Sequence, residues 1–411
     1  MRVLSERIGP RIGGTASERA AADYVAAVLD RHGWRPRFEP FPVADKFLAQ
    51  LTGEPGLPQD LCWQAGASPA AGLDVRVSGP VVDGGTAEPA GEWVAAAAGA
   101  VVLVDDPGGA VAVRATRDAR VATALAAGAV AVVLLPPDLV FPRRAQASSP
   151  ALGTEGAPFP PTAVPVVGVA QAQKERLRAA LAAGPLRLGV STTAHRGLTS
   201  VNVVGELRGR SGPDGPVVGI SAHYDSVIGA PGANDDGSGT GLCLELARVL
   251  RTLPPAGPTL RIALWGSEEQ GLIGSRHHVA QLDQAQRDRI VAVLQNDMVA
   301  TSWDPATRYW RLSFDGSDNA ATRAVGRAAE RLGYTADLSP VTQRGASDHQ
   351  SFQEVGIASA NFSWRGEESP ALLEPPYHSP EDTIEKNISY ERYQVSLELI
   401  GAAAVSLLHS R

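Results

Sequence analysis

Apolar residues recur at helical spacing from Ser17 to His32, where Ala20, Tyr24, Val25, Val28 and Leu29 fall on one face and Thr15 or Ser17 can cap the start. An amphipathic helix is predicted there. Pro36 to Val43 alternates apolar and polar positions like a half-buried strand. From about Asp45 the chain turns to Gly, Ala, Val and Pro with few charges, which marks a candidate boundary. Residues 46 to 195 carry short valine-rich runs (Asp74 to Val77, Ala100 to Val104, Val130 to Leu135, Val164 to Val169) and two alanine-rich helical stretches, Val121 to Ala127 and Ala170 to Ala183. That is enough for a compact, β-rich α+β domain. From Ser200 onward the pattern becomes strand, loop, helix, repeated. Strands are predicted at Val217 to Ala222, Thr259 to Trp265, Ile290 to Leu294 and Ala358 to Phe362, and helices at Thr240 to Arg251, Ile273 to Gln281, Asn319 to Leu332 and Tyr390 to Leu408. This alternation predicts an α/β fold, with a mixed, largely parallel sheet flanked by helices.

Length and charge narrow the picture. A chain of 411 residues exceeds what one core accommodates, so two packed units are expected, one of residues 1–45 with 196–411 and one of residues 46–195. Net charge is -7 and Lys and Arg are scattered, so the basic footprint of a nucleic-acid binder is missing. The start, MRVLSERIGPRIGG, has no apolar leader segment, and the apolar runs around Trp93 to Val104 and Ala122 to Leu135 break before the roughly 18 to 20 residues that span a bilayer. A soluble, cytoplasmic protein without membrane contact is expected, or a secreted one if a leader was removed. The two cysteines, Cys62 and Cys243, lack the spacing of a thiolate metal site or a disulfide framework, so any metal must be held by nitrogen and oxygen.

Three apolar strands run directly into metal-ligand residue types: Val217 to His223 and Asp225, Arg261 to Glu268-Glu269, and Val291 to Asp297. In open α/β sheets, sites form beyond the carboxyl ends of strands, so three such ends can meet in one crevice. Two loops add to them: Pro231-Gly-Ala-Asn-Asp235-Asp236-Gly-Ser-Gly239, leading into a helix, and Tyr377-His378-Ser-Pro-Glu-Asp-Thr383. The set offers two imidazoles and at least three carboxylates, donors suited to zinc, with manganese or cobalt as substitutes. Residues 46 to 194 contain no histidine, so that region cannot build such a site alone.

With these five motifs in this order, the chain resembles the bimetallic zinc aminopeptidases of metallopeptidase family 28, over Ser200 to the C-terminus plus the opening helix. The resemblance implies a zinc exopeptidase-like catalytic domain and makes residues 46–195 an inserted protease-associated domain, a lid, access or contact module. It implies two Zn2+ per chain: His223 and Asp297 on one, Glu269 and His378 on the other, Asp235 bridging both. It also implies Glu268 as the general base, Asp225 as the carboxylate that orients the His223 imidazole, and Tyr377 as hydrogen-bond donor to the oxyanion. A cis peptide is implied at Asp235-Asp236. The chain departs from the pattern where several family members carry arginine before a Ser-Asp pair. Here Gln343-Arg344-Gly345-Ala346-Ser347-Asp348-His349 puts Ala346 in that slot, and Arg344 must reach the same space if it is to serve.

The implied activity is hydrolysis of the N-terminal bond of peptides with a free amino end. Carboxypeptidase or dipeptidase action on the same centre, single-zinc glutaminyl cyclisation and a non-catalytic binding role stand as alternatives. Other residues keep plainer readings. His277 and His278 are adjacent on a helix and do not share a face. Trp303, Trp310, Trp364 and Cys243 read as core, His32, His195 and His409 receive no function, and His349 either lines the substrate pocket or makes a structural hydrogen bond.

Overall fold

The opening apolar stripe folds as predicted: α1 (Ala16–Arg31) buries Ala21, Ala22, Val25, Ala26 and Leu29. It leads into β1 (Arg37–Pro42). This computed structural model describes residues 1–54, 57, 62–108, 113–140, 144–253 and 257–409. Next come β2 (Lys46–Glu54), β3 (Gln64–Ala67), β4 (Arg76–Asp83), β5 (Val101–Asp105), α2 (Arg114–Ala126), β6 (Ala131–Leu135), β7 (Val166–Gly168), α3 (Gln171–Ala183) and β8 (Arg187–His195). The remainder is β9 (Thr199–Leu207), β10 (Val217–His223), α4 (Gly237–Leu250), β11 (Thr259–Trp265), α5 (Ile273–Ala280), α6 (Gln284–Asp288), β12 (Ile290–Asn296), β13 (Arg308–Ser313), α7 (Ala320–Leu332), β14 (Leu338–Gln343), α8 (His349–Gln353), β15 (Ser359–Arg365), α9 (Ile384–Asn387) and α10 (Tyr390–His409).

The strands sort into two sheets. β2 to β8 close a barrel in the order β2-β3-β7-β6-β5-β4-β8, while β1 and β9 to β15 form an eight-stranded sheet ordered β1-β9-β11-β10-β12-β15-β13-β14. The chain leaves the larger sheet and returns to it at one place. Val43 N–H donates to Leu198 O at 3.0 Å, Gly197 N–H to Asp45 Oδ1 at 2.9 Å, and Lys46 pairs with His195. In the large sheet β10 lies parallel between β11 and β12, and β12 is parallel to β15. These central strands are buried on both faces, which is why they read as continuous apolar runs. The main core joins α1, α4, α7 and α10 to the sheet through Leu242, Ile262, Leu294, Val325, Phe362 and Leu399.

Several strands differ from the sequence reading. β2, β3, β8, β9, β13 and β14 are additional, and β4 begins at Arg76 and runs on to Asp83. β2 and β8 mix polar residues and glycine because one face of an antiparallel barrel strand is solvated. β14 carries Pro340, which an edge strand tolerates. α2 starts at Arg114, earlier than its alanine-rich half suggested, because Arg117 supplies a buried position together with Val121 and Ala124.

Candidate metal centre

Strand order directs the chemistry to the ends of β10, β11 and β12. The sheet is extended from β10 toward β11 on one side and β12 on the other, so the crevice beyond β10 is a switch point of the kind where α/β proteins bind ligands. His223 closes β10 opposite Trp265, the last residue of β11, and Asp297 follows directly on β12. The loop after β10 turns through Gly232 (φ 61°), crosses a cis bond at Asp235-Asp236 and enters α4. Asp236 accepts from Gly239 N–H at 2.8 Å, His223 N–H at 3.2 Å and Met298 N–H at 3.2 Å, tying helix and both strand ends together. A Cβ on Gly239 would stand 1.8 Å from Asn296 O, so no other residue lets α4 start this close to β12.

The predicted ligand residues meet in two groups that share one carboxylate. His223 Nε2 is 3.1 Å from Asp235 Oδ1 and 3.8 Å from Asp297 Oδ1. His378 Nε2 is 3.1 Å from Asp235 Oδ2 and 3.0 Å from Glu269 Oε2. Each Asp235 oxygen thus faces a different imidazole. Within each triad one donor atom per residue lies inside 4.8 Å of the others. Asp297 Oδ1 and Glu269 Oε1 are buried without hydrogen-bond partners, orphan lone pairs of the kind a cation satisfies. The donor set is imidazole and carboxylate, and Asp225, Asp235, Glu268, Glu269 and Asp297 form ion pairs among the described residues only with His223 and His378. The residues fit divalent cations.

Charge crowding has the expected effects. Burial alone would lower the His223 pKa, but Glu268, Asp225, Asp235 and Asp297 together raise it well above the usual value. His378 is likewise pushed up to about 10, because Glu269 and Asp235 outweigh burial. Asp235 is lowered despite its burial, by its bonds to the two imidazoles. Burial, with Asp348, Glu269 and Asp297, holds the Glu268 carboxyl well above its ordinary range against the pull of His223. A bound dication opposes that shift.

The residues expected to support the centre lie beside the two triads. Asp225 is fully buried; Oδ1 accepts from Glu268 N–H at 3.0 Å, and Oδ2 from Glu269 N–H at 3.3 Å. Its Oδ1 lies 3.4 Å from His223 Nδ1, long for a hydrogen bond but on the correct side of the ring. Glu268 Oε2 is 4.0 Å from His223 Nε2. Tyr377 stacks on His378 with centroids 3.7 Å apart, and burial with Asp235, Glu269 and Asp297 raises its phenol pKa well above the usual value, keeping the donor proton in place. Arg344 feels the charge of this neighbourhood. Burial and Arg365 lower it to about 10, while Tyr377 and Asp297 oppose them. Ala346 stands at φ 60°, its N–H on Gln350 Oε1 at 3.0 Å.

The plainer readings resolve one by one. His349 is fully buried and its Nε2 bonds Arg344 O at 2.8 Å, so it supports the arginine's loop from beneath. His278 pairs with Glu39 at 2.9 Å, and His277 packs on Phe41. Trp310, Trp364 and Cys243 are buried. Sequence reasoning missed Arg11, fully buried below the site. Its guanidinium donates to the carbonyls of Tyr224, Leu4, Gly9, Pro231 and Gly232 and holds the Asp235 loop from the N-terminal segment. It missed Glu18, which accepts from Ser200 Oγ at 2.8 Å and Ser267 N–H at 2.9 Å and fixes the left-handed residue (φ 53°) before Glu268. It also missed Asp382, which accepts from Asp235 N–H at 3.0 Å. Only Asp382 lay inside a motif already singled out.

Comparison with known proteins decides the family. The model for Peptidase family M28 matches residues 202–404. Aminopeptidase YwaD of Bacillus subtilis (strain 168) is 34% identical over 401 residues, covering 97% of this chain and 82% of that protein. The chain belongs to peptidase family M28. Among solved structures, BSAP, a zinc aminopeptidase from Bacillus subtilis, matches with TM-score 0.69 and 31% identity over 100% of this chain and 93% of that one. The aminopeptidase from Aneurinibacillus sp. strain AM-1 matches with TM-score 0.58 and 28% identity, covering 98% and 91%. Both matches extend over the barrel as well as the large sheet. No described helix of this M28 chain is long and apolar enough to cross a membrane.

Proposed function

We propose that His223, Asp235 and Asp297 hold one zinc ion and Asp235, Glu269 and His378 a second, in a catalytic unit of residues 1–45 and 196–411 into which residues 46–195 are inserted as a protease-associated-like module. The chain is a zinc metallopeptidase of the aminopeptidase type, acting on peptides. The observation that carries the two-ion reading is the division of Asp235, one oxygen to each histidine triad. Each triad offers three protein ligands, which leaves a coordination position free, as catalytic zinc requires.

When bound, zinc supplies Lewis-acid polarisation of the scissile carbonyl and lowers the pKa of water. The remaining work belongs to side chains. Glu268 accepts a proton from the attacking water as the water oxygen bonds the carbonyl carbon, then returns that proton to the leaving amine as the C–N bond breaks. Asp225 holds the Glu268-Glu269 turn and the His223 ring in register. Tyr377, kept protonated, donates to the oxyanion.

The test is hydrolysis of free-amine, N-acetylated and C-terminally amidated versions of one peptide, before chelation, after it and after zinc is restored. Cleavage that N-acetylation blocks, amidation spares and zinc restores is the expected outcome. Blocking by amidation instead would make the enzyme a carboxypeptidase.

A further inference from the structure

The barrel touches the loops that carry the metal triads. Gln64 Oε1 accepts from Gly229 N–H at 3.1 Å, in the loop that carries Asp235. Arg144 donates to Glu381 at 3.0 Å, three residues past His378, and grips Glu175 of α3 through both carboxylate oxygens at 2.8 and 2.7 Å. Between these contacts Gln146 Oε1 stands 2.6 Å from His378 Nδ1. The strap that carries it is pinned on both sides. Gln171 N–H donates to Ala145 O at 2.8 Å, Ala147 is buried, and Ser149 Oγ donates to Phe47 O at 2.9 Å.

We infer that Gln146 is a positioning residue for the Asp235, Glu269 and His378 triad, so that the inserted barrel sets zinc affinity at that triad and not at the other. The inference rests on the two-ion reading. The two imidazoles are held by different means. His223 ends a buried strand with a side chain 1% exposed, and its Nδ1 faces Asp225 of its own loop. His378 sits in a loop at φ 52° with a side chain 17% exposed, so no strand geometry fixes its ring, and the stacked Tyr377 leaves Nδ1 without a partner of its own. For Nε2 to bind an ion together with Asp235 and Glu269, Nδ1 must carry the ring's remaining proton and needs an acceptor. The amide oxygen of Gln146 is that acceptor. It selects the tautomer that frees the Nε2 lone pair for a cation held with the two carboxylates, without adding charge to a site already rich in it.

The test uses the full chain as wild type, Gln146→Leu and Gln146→Glu. Zinc is titrated against a competing chelator, and cobalt(II) absorption is recorded at one and two equivalents. Gln146 is exposed, so folding is expected to survive, and the melting temperature checks it. In Gln146→Leu one of two affinities should weaken by about 10- to 100-fold, the usual effect of losing a ligand's outer partner, while the other stays within about twofold. The cobalt band of the weakened site should move as well. Gln146→Glu keeps an acceptor and should restore both. Two wild-type sites that remain unchanged in affinity and spectrum in Gln146→Leu would overturn the role of Gln146 alone. A wild type that takes up one ion would remove the two-ion reading and the inference with it.

Discussion

In the barrel, β5 runs into Asp105 and Asp106, and both acids are met by arginine: Arg178 reaches Asp105 at 2.8 Å and Arg117 reaches Asp106 at 2.9 Å. In the large sheet, β10, β11 and β12 run into His223 and Asp225, Glu268 and Glu269, and Asp297, and these acids gather around imidazoles with no arginine among their described ion pairs. Both regions use buried parallel strands that end in carboxylates. One neutralises the charge internally at a partly exposed rim, and the other buries it and leaves it for a cation. Acidic strand ends alone therefore do not mark a metal site. What marks it is burial without an arginine or lysine paired to the acids among the described residues, together with histidine.

The sharpest way to break this contrast is Glu268→Gln, which removes the proposed proton acceptor and spares every proposed ligand. Turnover should fall by about 10²- to 10⁴-fold with zinc content unchanged by metal analysis; turnover near wild type would end the role of Glu268 as base. Next comes Asp225→Asn, which loosens His223 and the Glu268-Glu269 turn together. Zinc affinity measured by chelator competition should drop about 10- to 100-fold. The matching change in the barrel is Arg117→Met, which strands a carboxylate with little exposure. It should cost about 2 kcal/mol, less than a fully buried pair because Asp106 keeps 16% exposure, and melting should come a few degrees earlier with kcat/KM of the folded enzyme unchanged. A matching loss of zinc in that variant would show that the barrel's charges belong to the centre after all.

The smallest effect concerns the pair between β1 and α5. Burial works against the Glu39 carboxylate, yet its bond to His278, the charge of that ring and Arg37 lower its pKa from 4.5 to about 2. A carboxyl depressed on folding stabilises the fold above its unfolded pKa and loses that contribution as pH falls through the folded one. Acid unfolding should therefore steepen between about pH 4.5 and 2 in wild type, and Glu39→Gln should flatten that limb without altering zinc uptake.

Much of the catalytic half is legible in its sequence because buried parallel strands write themselves as apolar runs and residues of metal-ligand type stand at or just past their ends. His223, Glu268, Glu269 and Asp297 could be read that way. Asp235 and His378 stood out on their loops, and the roles of all six came with the family resemblance. The barrel's antiparallel strands were harder to see, since a solvated face breaks β2 and β8 into mixed polar segments. Arg11, Glu18 and Gln146 could not be read at all. Each works across a fold-dependent contact, over 215, 249 and 232 residues of chain respectively in the bonds of Arg11 N–H to Ser226, Ser267 N–H to Glu18, and His378 to Gln146. No local pattern records such distances.

The most direct measurement is anomalous diffraction at the zinc edge from crystals of the zinc-loaded protein. The account predicts two peaks, one on each side of the Asp235 carboxylate and about 3.5 to 4 Å apart, the first against His223 and Asp297 and the second against Glu269 and His378. A single peak, or peaks away from Asp235, would contradict it.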